Sequence, residues 1–273
     1  MTALAYDRTG HGPPLVLLHA LGSSRAVWDP VLPLLADRFE VIRVDLPGFG
    51  ESPSLPADVE PHPAALARAV GRLLDDLGIE EPHVAGNSLG GWMTLELAAQ
   101  RALASLTLLA PAGLWPGRTP LYCRASLRAS RWLTRHAGVL LSWLVGSRAG
   151  RVLVLGQTHG HPARMTPAAA RRAISDLGTA PGFDAVFAAT LPRRYVAGAP
   201  IAAPVTLAFG DRDRLLPLRR WRRRDQLPAE TSVASLPGCG HVPMADDPGL
   251  VSAVITEGAA RSTGRLPRVR DRC

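Results

Sequence analysis

Gly86-Asn-Ser88-Leu-Gly90 fits the pattern G-x-S-x-G. A β-type run, His83-Val-Ala85, precedes it and a helical run from Leu89 follows, so the segment reads as a sharp strand-to-helix turn that lifts a serine Oγ above a sheet. The glycines are needed because a Cβ at those points would strike the neighbouring turn. A serine hydroxyl at neutral pH needs a base, and the base needs a carboxylate to orient it. His241, in Cys239-Gly-His-Val-Pro243, follows the last strand-like run and can serve as the base. Phe209-Gly-Asp-Arg-Asp213 follows the run before and carries the carboxylates Asp211 and Asp213. Acyl transfer also needs donors for a developing oxyanion. The backbone N–H of Leu21, in the turn His19-Ala-Leu-Gly22, is one candidate. The N–H of Leu89 is the other, at a helix start where the dipole favours negative charge.

These residues have to be positioned by the elements around them. The first half of the chain alternates short β-type runs with helical patterns, the signature of a parallel sheet covered by helices. Leu15–Leu18, Val41–Val44, His83–Ala85 and Leu106–Leu109 read as strands. Ala26–Phe39, Pro63–Leu77 and Leu89–Ala102 read as helices, with Pro30 and Pro33 near the first turns of the first one. From Trp115 to Gly198 the alternation stops; Arg124–Leu144 and Pro167–Leu177 look helical, separated by a Gly/His/Pro loop at 156–162. Strand patterns resume at Pro204–Phe209 and Ser232–Leu236, and a helix from Pro248 to about Ala260 closes the order. The expected division is an α/β core at 1–114 and 200–260, a mostly helical cap at 115–199, and a basic, mobile tail at 261–273.

With Ser88, Asp213 and His241 in that chain order, each after its own strand, the sequence resembles the α/β-hydrolase superfamily, in the branch with a lid inserted in the second half of the sheet. The likeness is carried by His19-Ala-Leu-Gly22, Asp45-Leu-Pro-Gly-Phe-Gly-Glu-Ser52, Gly86-Asn-Ser-Leu-Gly-Gly91, Gly210-Asp-Arg-Asp213 with Pro217, and Gly240-His241. It departs at Ala20, where the family usually has glycine. The resemblance implies a mostly parallel sheet flanked by helices, with a helical cap inserted after the strand at 106–109. It also places the acid three residues after Gly210 and four before Pro217, which is Asp213, and leaves Asp211 to cap backbone N–H groups. Dehalogenases and epoxide hydrolases of this fold carry aspartate at the turn, where this chain has Ser88. The implied activity is a cofactor-independent serine hydrolase of a small carboxylic ester. The competing readings are a C–C bond hydrolase of a ring-cleavage-type diketo acid, a perhydrolase or haloperoxidase-like enzyme, and a non-catalytic receptor or scaffold on the same fold.

Composition bounds these readings. The chain has 273 residues, 47% hydrophobic and 20% charged, enough apolar side chain for a sizeable core and too much for global disorder. No apolar run approaches a membrane span, and the N-terminus has no signal-peptide pattern, so a cytoplasmic protein is expected. Three scattered cysteines argue against a disulfide framework or a zinc site. The 31 basic residues are all arginine and the net charge is +8. Residues 1–114 carry −6, whereas 115–199 carry +10. Arg124, Arg128, Arg131 and Arg135 recur on one helical face. That face reads either as solvated surface or, with Arg193 and Arg194, as a lure for an anionic substrate. His159-Gly-His161 reads as loop rather than as metal ligands, and Arg219–Arg224 as surface rather than as a nucleic-acid patch. Ala137–Gly146 fits either the cap of an acyl pocket or the core of the lid. The expectation is a small-molecule substrate, with no cofactor, metal or nucleic acid.

Overall fold

The short apolar runs become strands of one sheet in a computed structural model that describes residues 3–217 and 223–263. The strands are β1 (Tyr6–Thr9), β2 (Pro14–Leu18), β3 (Glu40–Val44), β4 (His83–Asn87), β5 (Ser105–Leu109), β6 (Val205–Gly210) and β7 (Ser232–Leu236). They lie in the order β1-β3-β2-β4-β5-β6-β7, all parallel except β1, which pairs antiparallel with β3. β4, β5 and β6 are buried at every position, as expected of strands covered on both faces. Leu18 lies opposite both Val44 and Gly86, and Asn87 opposite Leu109, so the loops carrying the motifs leave from one edge.

Alternation along each strand separates two layers. Val16, Leu18, Ile42 and Val84 pack in one core with α2 (Pro63–Asp76) and α3 (Leu89–Ala98). Leu15, Leu17, Val41 and Ala85 pack in another with α1 (Leu32–Ala36) and α8 (Pro248–Thr263). The segment 26–39 forms a 3₁₀ turn at Arg25–Trp28 followed by the short α1, not one helix. Pro30 and Pro33 supply no N–H to continue the first turn. The antiparallel edge strand β1 was not visible in the apolar pattern, since only Tyr6 of its four residues is apolar.

Between β5 and β6 the chain forms α4 (Leu121–Leu144), α5 (Arg148–Leu155), α6 (Pro167–Thr179) and α7 (Phe183–Thr190). α5 and α7 fall outside the helices read from sequence. α4 kinks at Ala137, immediately before Gly138. Among the described residues no helix is long and apolar enough to cross a membrane. The tail from 264 onward and residues 218–222 of the arginine-rich run lie outside the described residues.

Buried Arg131 ties α4 to the C-terminal end of α6. Its guanidinium donates to the carbonyls of Leu177 and Ala180, the latter at 2.8 Å, and lies 5.0 Å from the centre of the Phe183 ring. Arg131→Met leaves those carbonyls without their charged donor. It should lower unfolding stability by about 2–3 kcal/mol, read as a lower urea midpoint; an unchanged midpoint contradicts the clamp.

Candidate active site

Ser88 stands between β4 and α3 at φ 54°, ψ −111°, a conformation rarely adopted by residues other than glycine. Its surroundings enforce that turn. A Cβ at Gly86 would lie 2.2 Å from the carbonyl oxygen of Gly90, and one at Gly90 would lie 2.2 Å from that of Leu18. One at Gly91 would meet Pro111 at 2.8 Å. The residue between, Asn87, is a positioning group that sequence reading passed over. Its amide donates to the carbonyls of Leu109 (3.0 Å) and His241 (2.9 Å), fastening the serine turn to the histidine loop. The available signal was an asparagine just after the strand-like run His83–Ala85, next to the serine.

His241 and Asp213 meet at that edge. Nδ1 of His241 lies 2.9 Å from Oδ2 of Asp213, and both residues are buried. The other carboxylate oxygen accepts the N–H groups of Leu215 (2.9 Å) and Leu216 (2.8 Å), which fixes the aspartate's orientation. A carboxylate beside Nδ1 keeps the proton there, so Nε2 carries the free lone pair. Among the described residues Nε2 is buried without a hydrogen-bond partner, and His241 and Ser88 line the same cavity. Asp211 sits elsewhere and accepts the N–H of Gly238 at 2.7 Å. Asp246, absent from the sequence reading, organises the histidine loop. It accepts N–H groups from Gly240 (2.8 Å), Gly160 (2.7 Å) and His161 (2.7 Å), joining that loop to the segment between α5 and α6. His159 is buried in the same wall, its Nδ1 3.0 Å from Thr158 Oγ1.

Leu21 and Leu89 line the cavity beside Ser88. The loop bearing Leu21 is held from below by His19, which is fully buried. Nδ1 of His19 must donate to the Ala20 carbonyl (2.8 Å), and Nε2 must accept from the Leu46 N–H (3.0 Å), so the ring is neutral. Burial lowers its pKa to about 4 against weaker opposition from the Ala20 hydrogen bond and Asp45. Asp45 in turn accepts the N–H groups of Arg25 (2.6 Å) and Glu51 (3.0 Å). Gly50, at φ 54°, leaves room for that carboxylate, since a Cβ there would overlap it. From above, Ser24 donates to Asp176 of α6 at 2.6 Å.

The cavity measures about 1080 Å³ and is mainly apolar, with Leu127, Leu141, Leu144 and Phe187 among its walls. Ala137–Gly146 therefore does both things its sequence allowed. Leu141 and Leu144 face the cavity, while Val145 is buried with Leu155, Met165 and Ile174. The arginines singled out by the charge map do not line it. Arg131 is committed to carbonyls, Arg135 lies 3.4 Å from Asp184, Arg193 pairs with Glu60 (2.8 Å), and Arg194 donates to the Pro116 carbonyl. Arg124 and Arg128 are also absent from the walls, where Arg164 and Arg172 stand instead. Helical periodicity placed the first four on one face without saying which way that face turned.

The alpha/beta hydrolase family matches residues 15–254, and the chain belongs to that family, as a hydrolase. It is 31% identical to the epoxide hydrolase EphH of Mycobacterium tuberculosis over 71% of this chain and 92% of that protein. It is 40% identical to a pimeloyl-[acyl-carrier protein] methyl ester esterase of Aeromonas hydrophila, over 43% of this chain and 48% of that one. Among solved structures, a thermophilic esterase from Thermogutta terrifontis superposes with a TM-score of 0.74 at 23% identity, covering 95% of this chain and 93% of the other.

The neutral His19 has a consequence for stability. The unfolded chain binds a proton on this side chain below its ordinary pKa of 6.5, and the folded chain does so only near 4. The stabilisation is complete above about pH 6.5 and drains away as pH falls toward about 4, by about 3 kcal/mol over that window. His19→Gln keeps a donor and an acceptor without the titration. Urea unfolding across that range should show a shallower pH dependence for the variant, and parallel curves would refute the assignment.

Proposed function

We propose that the chain is a serine hydrolase of carboxylic esters, with Ser88 as nucleophile, His241 as base and Asp213 as its orienting acid. The observation that carries this reading is the His241–Asp213 contact at 2.9 Å, with the opposite ring nitrogen unpartnered among the described residues and His241 lining the same cavity as Ser88. Nε2 takes the proton as Ser88 Oγ attacks the ester carbonyl, and Asp213 stabilises the imidazolium. The N–H groups of Leu21 and Leu89 hold the oxyanion. Collapse breaks the ester C–O bond, and the leaving alkoxide takes the proton from Nε2. Water, deprotonated by the same nitrogen, then attacks the acyl-enzyme, releasing the carboxylic acid and restoring Ser88. The helices at 115–199 act as a cap that supplies the apolar walls. The size of the cavity favours a longer acyl chain than the small ester expected from sequence.

Epoxide opening fits the serine poorly. Attack by Ser88 Oγ on an epoxide carbon would leave an alkyl ether, with no carbonyl for water to attack, so the enzyme could not turn over. The C–C hydrolase reading loses the six arginines singled out for it, none of which lines the cavity, and keeps only Arg164 and Arg172 there.

A fluorophosphonate probe should label the wild-type protein and fail to label Ser88→Ala; labelling of a folded Ser88→Ala protein would overturn the nucleophile. Asp213→Asn should lower kcat by about 10⁴, as in serine proteases, with folding retained. Asp211→Asn should leave most activity, and equal loss in the two variants would refute the choice of acid. Across p-nitrophenyl esters from acetate to octanoate, kcat/KM should rise about two- to fourfold per methylene until the cavity is filled. A profile that peaks at acetate would rule out the acyl-pocket reading.

A further inference from the structure

α4 and α5 expose apolar side chains that a water-facing surface does not explain. Among the described residues, fourteen large apolar side chains are exposed, and nine of them lie on these two helices. Val139 is 89% exposed, Leu153 77% and Trp143 74%. Val139, Leu140 and Trp143 are exposed on α4 after its kink, whereas Leu141 and Leu144 line the cavity. α5 follows after a three-residue turn and adds Val152 and Leu153. A concentration of this kind marks a surface that is covered by something else.

Charge identifies the covering. Residues 115–175 hold ten arginines and no acidic residue. Arg148, Arg164 and Arg171 are exposed, and Arg171 donates to the Ser142 carbonyl at 3.2 Å, which places it beside the end of α4. Aliphatic side chains and a tryptophan among arginines suit the boundary between hydrocarbon and anionic headgroups. A two-fold dimer through this face would set two equally acid-free, arginine-bearing surfaces against each other and be repelled. A nucleic acid would offer no hydrocarbon to Val139 or Leu153. The patch is also continuous with the cavity: Leu133 and Leu153 are exposed on the surface and line the cavity that holds Ser88.

We propose that the outer face of α4 and α5 docks on an anionic lipid surface, so that an amphiphilic ester passes from the lipid into the cavity past Leu133 and Leu153. The substrate class rests on the ester-hydrolase reading above, whereas the docking does not. Docking is read from sedimentation of the Ser88→Ala protein, which cannot consume lipid by the proposed route, with phosphatidylcholine vesicles and with vesicles of equal parts phosphatidylcholine and phosphatidylglycerol. Binding should be at least about tenfold tighter to the mixed vesicles. Adding Val139→Ser and Trp143→Ser should weaken it at least about tenfold again, because both hydrocarbon contacts are lost. The same pair in the otherwise wild-type protein should hydrolyse dissolved p-nitrophenyl butyrate with unchanged kcat/KM, since neither side chain lines the cavity. No vesicle binding, or binding that the pair leaves intact, overturns the docking. So does a vesicle-free dimer that the pair dissociates, which would make a second copy the occupant. Vesicle binding by a protein inactive on every ester would preserve the docking and refute the ester reading.

Discussion

The backbone between β4 and α3 passes so near its neighbours that the turn has room for one conformation. Carbonyl oxygens of Leu18 and Gly90 stand where Cβ atoms at 90 and 86 would have to go, and Pro111 blocks one at 91. Ser88 is thereby held at a positive φ that a free chain would leave. Its strain is offset by the buried sheet beside it, where the Leu109 carbonyl of β5 accepts the Ser88 N–H at 3.0 Å. The surrounding loops depend on this turn because Asn87, one residue earlier, carries the carbonyl of His241 on its amide. Position at the serine and position at the histidine are one mechanical fact.

The loops at that edge are organised less by apolar packing than by aspartates that accept backbone N–H groups. Asp45 holds the loop from 45 to 51, Asp211 joins β6's loop to Gly238, and Asp246 gathers Gly240 with Gly160 and His161. Asp213 follows the same rule with Leu215 and Leu216, and directs its second oxygen to His241. Backbone donors in loops have no ladder to satisfy them, so a carboxylate that collects two or three of them both removes an unmet hydrogen bond and fixes the loop's shape. The helices between β5 and β6 are joined to the core through such contacts, by Asp246 and by Ser24 on Asp176, and by Cys123, whose thiol donates to the Leu215 carbonyl at 3.1 Å. Burial and the nearby Asp213 carboxylate push that thiol's pKa up to about 12, so it remains a neutral donor.

Helices α4 and α5 contribute both to the apolar cavity and to the apolar outer face. α4 turns Leu141 and Leu144 inward and Trp143 outward within four residues, which helical geometry permits because successive side chains step about 100° around the axis. An amphipathic helix normally gives its other side to water. Here the formal charge comes from arginines alone, a composition that suits a negatively charged, partly apolar neighbour better than bulk solvent.

The order of strands and helices in the core, the serine turn, and the positions of Asp213 and His241 were legible in the sequence because each rests on local rules. These are apolar runs of strand length, glycines where backbone crowding forbids a Cβ, and polar residues just past strand ends. Local rules also misled where proline interrupted an apolar period, as between Arg25 and Ala36, and were silent on β1, whose pairing with β3 is a contact between distant segments. The direction of the α4 arginines, the roles of Asn87 and Asp246, and the neutral state of His19 were decided only by tertiary structure. Each depends on which donor, acceptor or ring arrives from a segment far along the chain: Leu177 and Ala180 for Arg131, His241 for Asn87, Gly160 for Asp246, Leu46 for His19. Side-chain periodicity fixes a face relative to its own helix axis, and only packing against other elements decides whether that face meets solvent, protein or a cavity.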